Sequence, residues 1–187
     1  MAQPVPSANT PDPDAGLLAR LRAGEAGADQ EMFDRFFPMA LRLARARFGN
    51  DAEAEDAALE ALEEAFQGLP SFQGKSKLST WVYRVLRNRI CRNARNRQRV
   101  ELAGLDEEIA DPAPGPRERF ESHREFIRLL KDIQHLTPEQ AWAVTLCRVI
   151  GLELDEGAEV LGLSVPALKM RIQRGLETLR RKRKARE

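Results

Sequence analysis

Aromatic residues make up only 6% of this 187-residue chain, and it holds a single tyrosine. Alanine, leucine, arginine and glutamate abound instead, a balance that favours helices over sheets. Cysteine is nearly absent. Cys91 and Cys147 stand far apart without metal-ligand spacing, which excludes a disulfide framework and suits a reducing cytosol. Only two histidines occur, His123 and His135, and neither forms a Glu-x-x-His pair, so a di-iron helical bundle is excluded. No apolar run approaches the roughly 20 residues of a membrane span. The start, MAQPVPSANTPDPDAG, lacks the basic and apolar stretches of a secretory signal. P-loop, dinucleotide-turn and Gly-x-Ser-x-Gly patterns are missing too, and no nucleophile, base and orienting group stand together. The expectation is a protein without catalytic residues, metal or cofactor.

Net charge is also lacking, because 30 Lys and Arg nearly cancel 29 Asp and Glu, leaving +1. Distribution matters more than the sum, since a basic face binds phosphate even on a neutral protein. Prolines 4, 6, 11 and 13 mark residues 1–15 as a disordered tail. Helical patterns follow around Leu17–Arg22, Asp29–Phe48, Asp51–Gln67 and Ser79–Arg99. Pro38 predicts a break or kink in the second. Asn50 or Asp51 caps the third, whose first turns are acidic. Residues 100–116 carry only negative charge, at Glu101, Asp106, Glu107, Glu108 and Asp111, and then Pro112, Pro114 and Pro116, which predicts a flexible acidic linker. Beyond it, a helix to about Gln134 and a helix opened by Leu136-Thr137-Pro138-Glu139-Gln140 precede two more. The fold class is therefore all-α, with two small helical domains at 16–99 and 117–187.

Two constellations point to nucleic acid. In Ser79–Arg99, seven arginines occur with no acid among them. At 100° per residue, Val82, Val85, Leu86, Ile90 and Ala94 form an apolar side. Arg84, Asn88, Arg92, Arg95 and Arg99 gather opposite, with Trp81 at the start. Guanidiniums suit phosphate, an amide can read a base edge, and an indole can stack on a base. A merely solvated face usually mixes both signs, because like charges one turn apart repel. The second constellation is the short helix Asp155–Leu161, the turn at Gly162 and the longer helix Val165–Arg181, a helix-turn-helix pattern. Its outward positions include Lys169, Met170, Gln173 and Arg174, in reach of a major groove. The arginine- and lysine-rich end at 180–186 adds phosphate affinity.

This order of parts resembles the extracytoplasmic-function sigma factors, the smallest members of the bacterial sigma-70 family. The stretch DAEAEDAALEALEEAF is similar to the family's region 2 helix, and FQGKSKLSTWVYRVLRNRI to the loop and helix after it. Residues 136–180 look like region 4. The resemblance implies an alternative sigma factor that binds core RNA polymerase and directs promoter recognition and melting. Asp56, Leu59, Leu62 and Glu63 would meet the polymerase. Ser71, Phe72, Lys75 and Lys77 in the loop, with Trp81, Arg84, Asn88, Arg92 and Arg95, would meet the −10 element. Ser164, Ala167, Lys169, Met170, Gln173 and Arg174 would meet the −35 element. The further implied partners are promoter DNA and an anti-sigma factor, with a cytoplasmic location and no membrane span.

Several residues depart from the family pattern. Leu59 stands where glutamine is usual and Leu62 where phenylalanine is frequent, which implies a more apolar polymerase contact. Cys147-Arg148 replaces a common Arg-Glu. Gly157 replaces an apolar residue, at a propensity cost of about 1 kcal/mol relative to alanine. Ala167 and Met170 replace the usual threonine and serine, which implies an unusual −35 preference. The rival reading is a stand-alone helix-turn-helix regulator, which would bind duplex DNA without polymerase.

Overall fold

The computed structural model describes residues 14–102 and 120–185, and every regular element among them is helical. Helices α1 (Ala15–Arg22), α2 (Ala28–Arg45), α3 (Asp51–Gly68) and α4 (Leu78–Leu102) form the N-terminal half. Helices α5 (Phe120–Ile133), α6 (Pro138–Val144), α7 (Leu154–Leu161) and α8 (Val165–Lys184) form the C-terminal half. A 3-10 turn, Leu69–Ser71, follows α3, and a π-helical stretch, Thr145–Ile150, continues α6. Residues 1–13 of the expected tail and most of the expected acidic linker lie outside the described residues. Asp14 and Ala15, read as tail, belong to the fold. Asp14 is fully buried and pairs with Arg35 at 2.5 Å, which pins the start of α1. The linker reading from Val100 also began too early, since α4 runs on to Leu102.

The caps explain most boundaries. Asn50 Oδ1 accepts from the Ala52 amide at 2.8 Å and opens α3. Thr137 Oγ1 accepts from the Gln140 amide, with Pro138 at the first helical position of α6. Glu153 and Glu156 form a capping box at the start of α7. Gly162 ends α7 in the left-handed region at φ 65°, where glycine carries no Cβ penalty. Pro38 does not break α2, which is continuous from Ala28 to Arg45. Burial on both sides of the proline, at Phe36, Ala40 and Leu43, holds the helix through it. Phe36 and Leu43 each contribute about 1.5–3 kcal/mol, comparable with the interior-proline cost of roughly 3 kcal/mol.

Alanines set how α3 packs. Ala54, Ala57, Ala58, Ala61 and Ala65 are all buried, and their small size lets both α2 and α4 lie close against α3. The core of this half is filled by Met32, Phe36, Leu43, Leu62, Val82, Leu86 and Ile90. In the C-terminal half, α6 packs on α8 and α7 on both α8 and the π-helical stretch. The two halves are not independent. One continuous buried cluster runs from Leu17 through Ile90 to Trp142, Leu146, Leu168 and Ile172. A second places Ala46 of the N-terminal half among Leu130, Ile133, Leu136, Ala141 and Val144.

Candidate nucleic-acid and polymerase interfaces

A groove between α2 and α3 is lined by Phe33, Asp56, Leu59, Glu60, Leu62, Glu63, Phe66 and Gln67. The resemblance implied Asp56, Leu59, Leu62 and Glu63 as the polymerase contact, and the fold brings all four to this groove. Leu59 is an exposed large apolar residue at 41%, whereas Leu62 is buried at 1% and forms the groove floor. Phe33, Glu60, Phe66 and Gln67 join them, which sequence reading did not propose. For Glu60 the signal was present, since it stands one turn from Asp56 and from Glu64.

The loop after α3 is built around two aromatic rings. Ser71 Oγ donates to the Gly68 carbonyl at 2.7 Å, and Arg22 donates to the Phe72 carbonyl. Phe72 is buried at 5% exposure, with its ring centroid 5.2 Å from that of Trp81. A Cβ on Gly68 would lie 3.3 Å from the indole. Expecting Phe72 as an open contact thus needs correction, because it is buried and braces the loop, while Trp81 packs on it and stays half-buried. Ser71 and Lys75 remain exposed, and Lys77 is half-buried.

The arginine helix is less bare than its sequence implied, because acids come from α3. Arg89 pairs with Glu60 at 3.1 Å and Glu64 at 3.5 Å, Arg92 pairs with Glu64, and Arg97 with Glu53. Asn93 Nδ2 donates to Glu60 at 2.7 Å. That hydrogen bond and the Arg89 guanidinium hold the Glu60 carboxyl below its ordinary range. Arg84 pairs across the halves with Glu159 at 3.2 Å, and Arg95 Nε donates to the Cys91 carbonyl within α4. Asn88, Arg95 and Arg99 are exposed on the face that the sequence assigned.

The helix-turn-helix pattern is realised by α7, Gly162–Ser164 and α8. Ser164 Oγ accepts from the Ala167 amide and caps α8, so both residues serve the helix start. Lys169, Met170, Gln173 and Arg174 are exposed along α8, with Met170 at 50%. Gln173 donates to Glu177 at 3.0 Å, one turn along. Arg148, Lys169, Gln173 and Arg180 line a groove over Ile172 and Leu176. Arg180, Arg181, Arg183 and Lys184 surround the helix end. Cys147 lies buried under α7, and burial pushes its thiol up from the ordinary range. Its sulfur packs against the Gly157 backbone position, which leaves no room there for a larger residue. Groups of three or more metal-ligating side chains are absent among the described residues. No helix among them is long and apolar enough to cross a membrane.

Comparison with known proteins agrees with this arrangement of parts. Residues 32–100 match the family described as Sigma-70 region 2, and residues 127–179 match Sigma-70, region 4. The chain belongs to the sigma-70 family, in its extracytoplasmic-function group. It is 29% identical over 150 residues to ECF RNA polymerase sigma factor SigE of Mycolicibacterium smegmatis, covering 79% of this chain and 56% of that protein. It is 27% identical to SigW of Bacillus subtilis, covering 88% of this chain and 93% of SigW. The chain spans less than two thirds of SigE, and 64% of BldN from Streptomyces coelicolor. Among solved structures, CnrH in complex with the cytosolic domain of CnrY superposes with a TM-score of 0.71. That match has 22% identity and covers 93% of this chain and 99% of that one. RpoE in complex with the anti-sigma factor NepR, from Bartonella quintana, gives 0.69 at 21% identity, covering 83% and 96%. Both show a shared fold.

Proposed function

We propose that this chain is a non-enzymatic alternative sigma factor that binds core RNA polymerase and directs promoter recognition and melting. What carries this reading is the order of the two family matches in one chain, each bearing an exposed surface of fitting chemistry. Residues 16–99 would act as the polymerase and −10 unit, residues 117–187 as the −35 unit, and residues 100–116 as the tether between them. The groove of Asp56, Leu59, Leu62 and Glu63 would seat a basic, partly apolar surface of the polymerase. Ser71, Lys75, Lys77, Arg84, Asn88, Arg92 and Arg95 would hold the −10 element, with Phe72 and Trp81 as its support. A base taken from the stack costs a few kcal/mol, which that loop must recover. In the −35 element, Lys169, Gln173 and Arg174 would reach phosphates and base edges, and Met170 an apolar group such as a thymine methyl. Ser164 and Ala167 would act through the cap that starts α8. The chain would work in the cytoplasm.

An anti-sigma factor is proposed as a further partner, by extension from CnrH with CnrY and RpoE with NepR. The deciding experiment is transcription in vitro with sigma-free core polymerase and fragmented host DNA, followed by sequencing of transcript 5′ ends. Discrete starts with a shared upstream element are expected. No transcript, with tight binding of the chain alone to duplex DNA, would instead establish a stand-alone regulator.

A further inference from the structure

Two cations that we assign to the −10 element are occupied by the other half of the same chain. Lys77 Nζ lies 2.8 Å from Glu156 Oε1, and Arg84 Nη2 lies 3.2 Å from Glu159 Oε1. The same Arg84 nitrogen also reaches the Glu159 carbonyl at 3.5 Å. Both acids sit on α7, three residues apart and so on one helical face. That face is turned toward α4, against which α7 packs directly. A second contact holds the far end. Gln134 Nε2 donates to the carbonyls of Arg45 and Phe48 at 2.8 and 2.7 Å, at and just past the end of α2. Beside it Ala46, at 2% exposure, is buried among side chains of α5 and α6.

We propose that the chain closes on itself without any partner, with α7 as an internal stand-in for DNA phosphate on Lys77 and Arg84. Charge complementarity and continuity with the buried core shared between the halves hold α7 in that place. Carboxylates that take the two cations leave them unavailable to a nucleic-acid backbone. The outward residues of α8, Lys169, Met170, Gln173 and Arg174, stay exposed in the closed chain, so the closure masks the Lys77 and Arg84 surface alone. Opening must therefore precede simultaneous use of both units. The part of Lys77 and Arg84 in promoter contact rests on the proposed sigma function, whereas the closure itself is a property of the isolated chain.

Each ion pair is partly exposed, so each is weak and screened by salt over about 8 Å at physiological ionic strength. On that scale, removing both pairs shifts the closed-to-open ratio by roughly 2- to 30-fold. The test is small-angle X-ray scattering on the full chain at low and high salt, with circular dichroism to verify helix content. Wild type should be compact at low salt and expand as salt rises. The variant E156Q/E159Q, which keeps an oxygen acceptor in the α7 cap, should be expanded already at low salt. K77E should also open the chain, and K77E/E156K should close it again. A wild type already expanded at low salt would overturn the proposal, as would an E156Q/E159Q variant as compact as wild type. Neither result depends on polymerase. A chain that closes yet fails to program transcription would sink the sigma reading and leave the closure standing.

Discussion

A Cβ built on Gly157 would stand 2.7 Å from the Sγ of Cys147, a separation that real Cβ atoms essentially never show. It would also lie 3.2 Å from Leu168 Cδ2. The glycine thus lets α7 approach the π-helical stretch around a cysteine. Replacing it with alanine gains helix propensity of about 1 kcal/mol but overpacks the core by about 1–3 kcal/mol. G157A should be destabilised in urea denaturation, and C147A/G157A should recover much of the loss. A stabilised G157A would show that α7 can shift without penalty.

The Glu60 carboxyl, held low by Asn93 and Arg89, links acid stability to the α3–α4 ladder. A carboxyl whose folded pKa is depressed contributes stability above its unfolded value, and that contribution is lost as pH falls through the folded one. E60Q should lower stability at neutral pH by about 0.2–1 kcal/mol, as partly exposed ion pairs do. Its deficit should vanish in acid, below the usual glutamate range near 4.3. Parallel denaturation curves at every pH would show that Glu60 is an ordinary surface group.

Burial pushes the Tyr83 hydroxyl up to about 12. Its ring also stacks edge-on with Phe36, the centroids 6.1 Å apart. An unfolded tyrosine ionises near 10, so the folded state binds the extra proton between these values. Stability from this group is complete below about pH 10 and falls as pH rises toward 12. Y83F should flatten the alkaline limb of the stability profile. Phenolate absorbance appearing at the unfolded value, in a chain still folded, would contradict the burial argument.

Polymerase and DNA contacts should separate by mutation. L59D places a charge on the exposed apolar wall of the α2–α3 groove and should weaken core polymerase binding by at least 10-fold, read by fluorescence anisotropy. R84A should leave that binding unchanged and impair open-complex formation. If R84A lost core binding, the roles of α3 and α4 would need exchanging.

On α8, K169A should weaken binding of holoenzyme to promoters roughly evenly across sequences and reduce the salt slope by about one. R174A, if it reads a base, should cost about 1–3 kcal/mol and relax specificity at one −35 position. Equal effects of both on every sequence would mean that both cations meet phosphate alone.

Local signals made most of the fold legible. Asn50 and Thr137 each cap the helix that their residue type announced, Gly162 makes the turn that its backbone freedom suits, and Ser164, read only as a turn and −35 residue, caps α8. Pro38 does not break its helix, because the local penalty of an interior proline is offset by packing on both sides of it. The site was harder to read for the same reason. Helical periodicity orients Arg92 and Arg89 on their own helix but says nothing of Glu60 and Glu64, some thirty positions earlier, which meet them only after folding. The resemblance named Phe72 and Trp81 separately among the −10 residues, and their contact with each other needed three dimensions. Pairings such as Lys77 with Glu156 span the two halves and leave no periodic trace.

The order of helices along the chain also sets an order in time. In the first half, α2 packs on α3 and α3 on α4, all neighbours in sequence. Contacts of such short range form quickly. The first half can therefore fold as it leaves the ribosome, while α7 is still about sixty residues from completion. At roughly 5–20 residues per second, several seconds pass before the acids of α7 exist. During each round of synthesis Lys77 and Arg84 stand for those seconds without their α7 acids, so a nascent chain is briefly more cationic on that face than the finished protein.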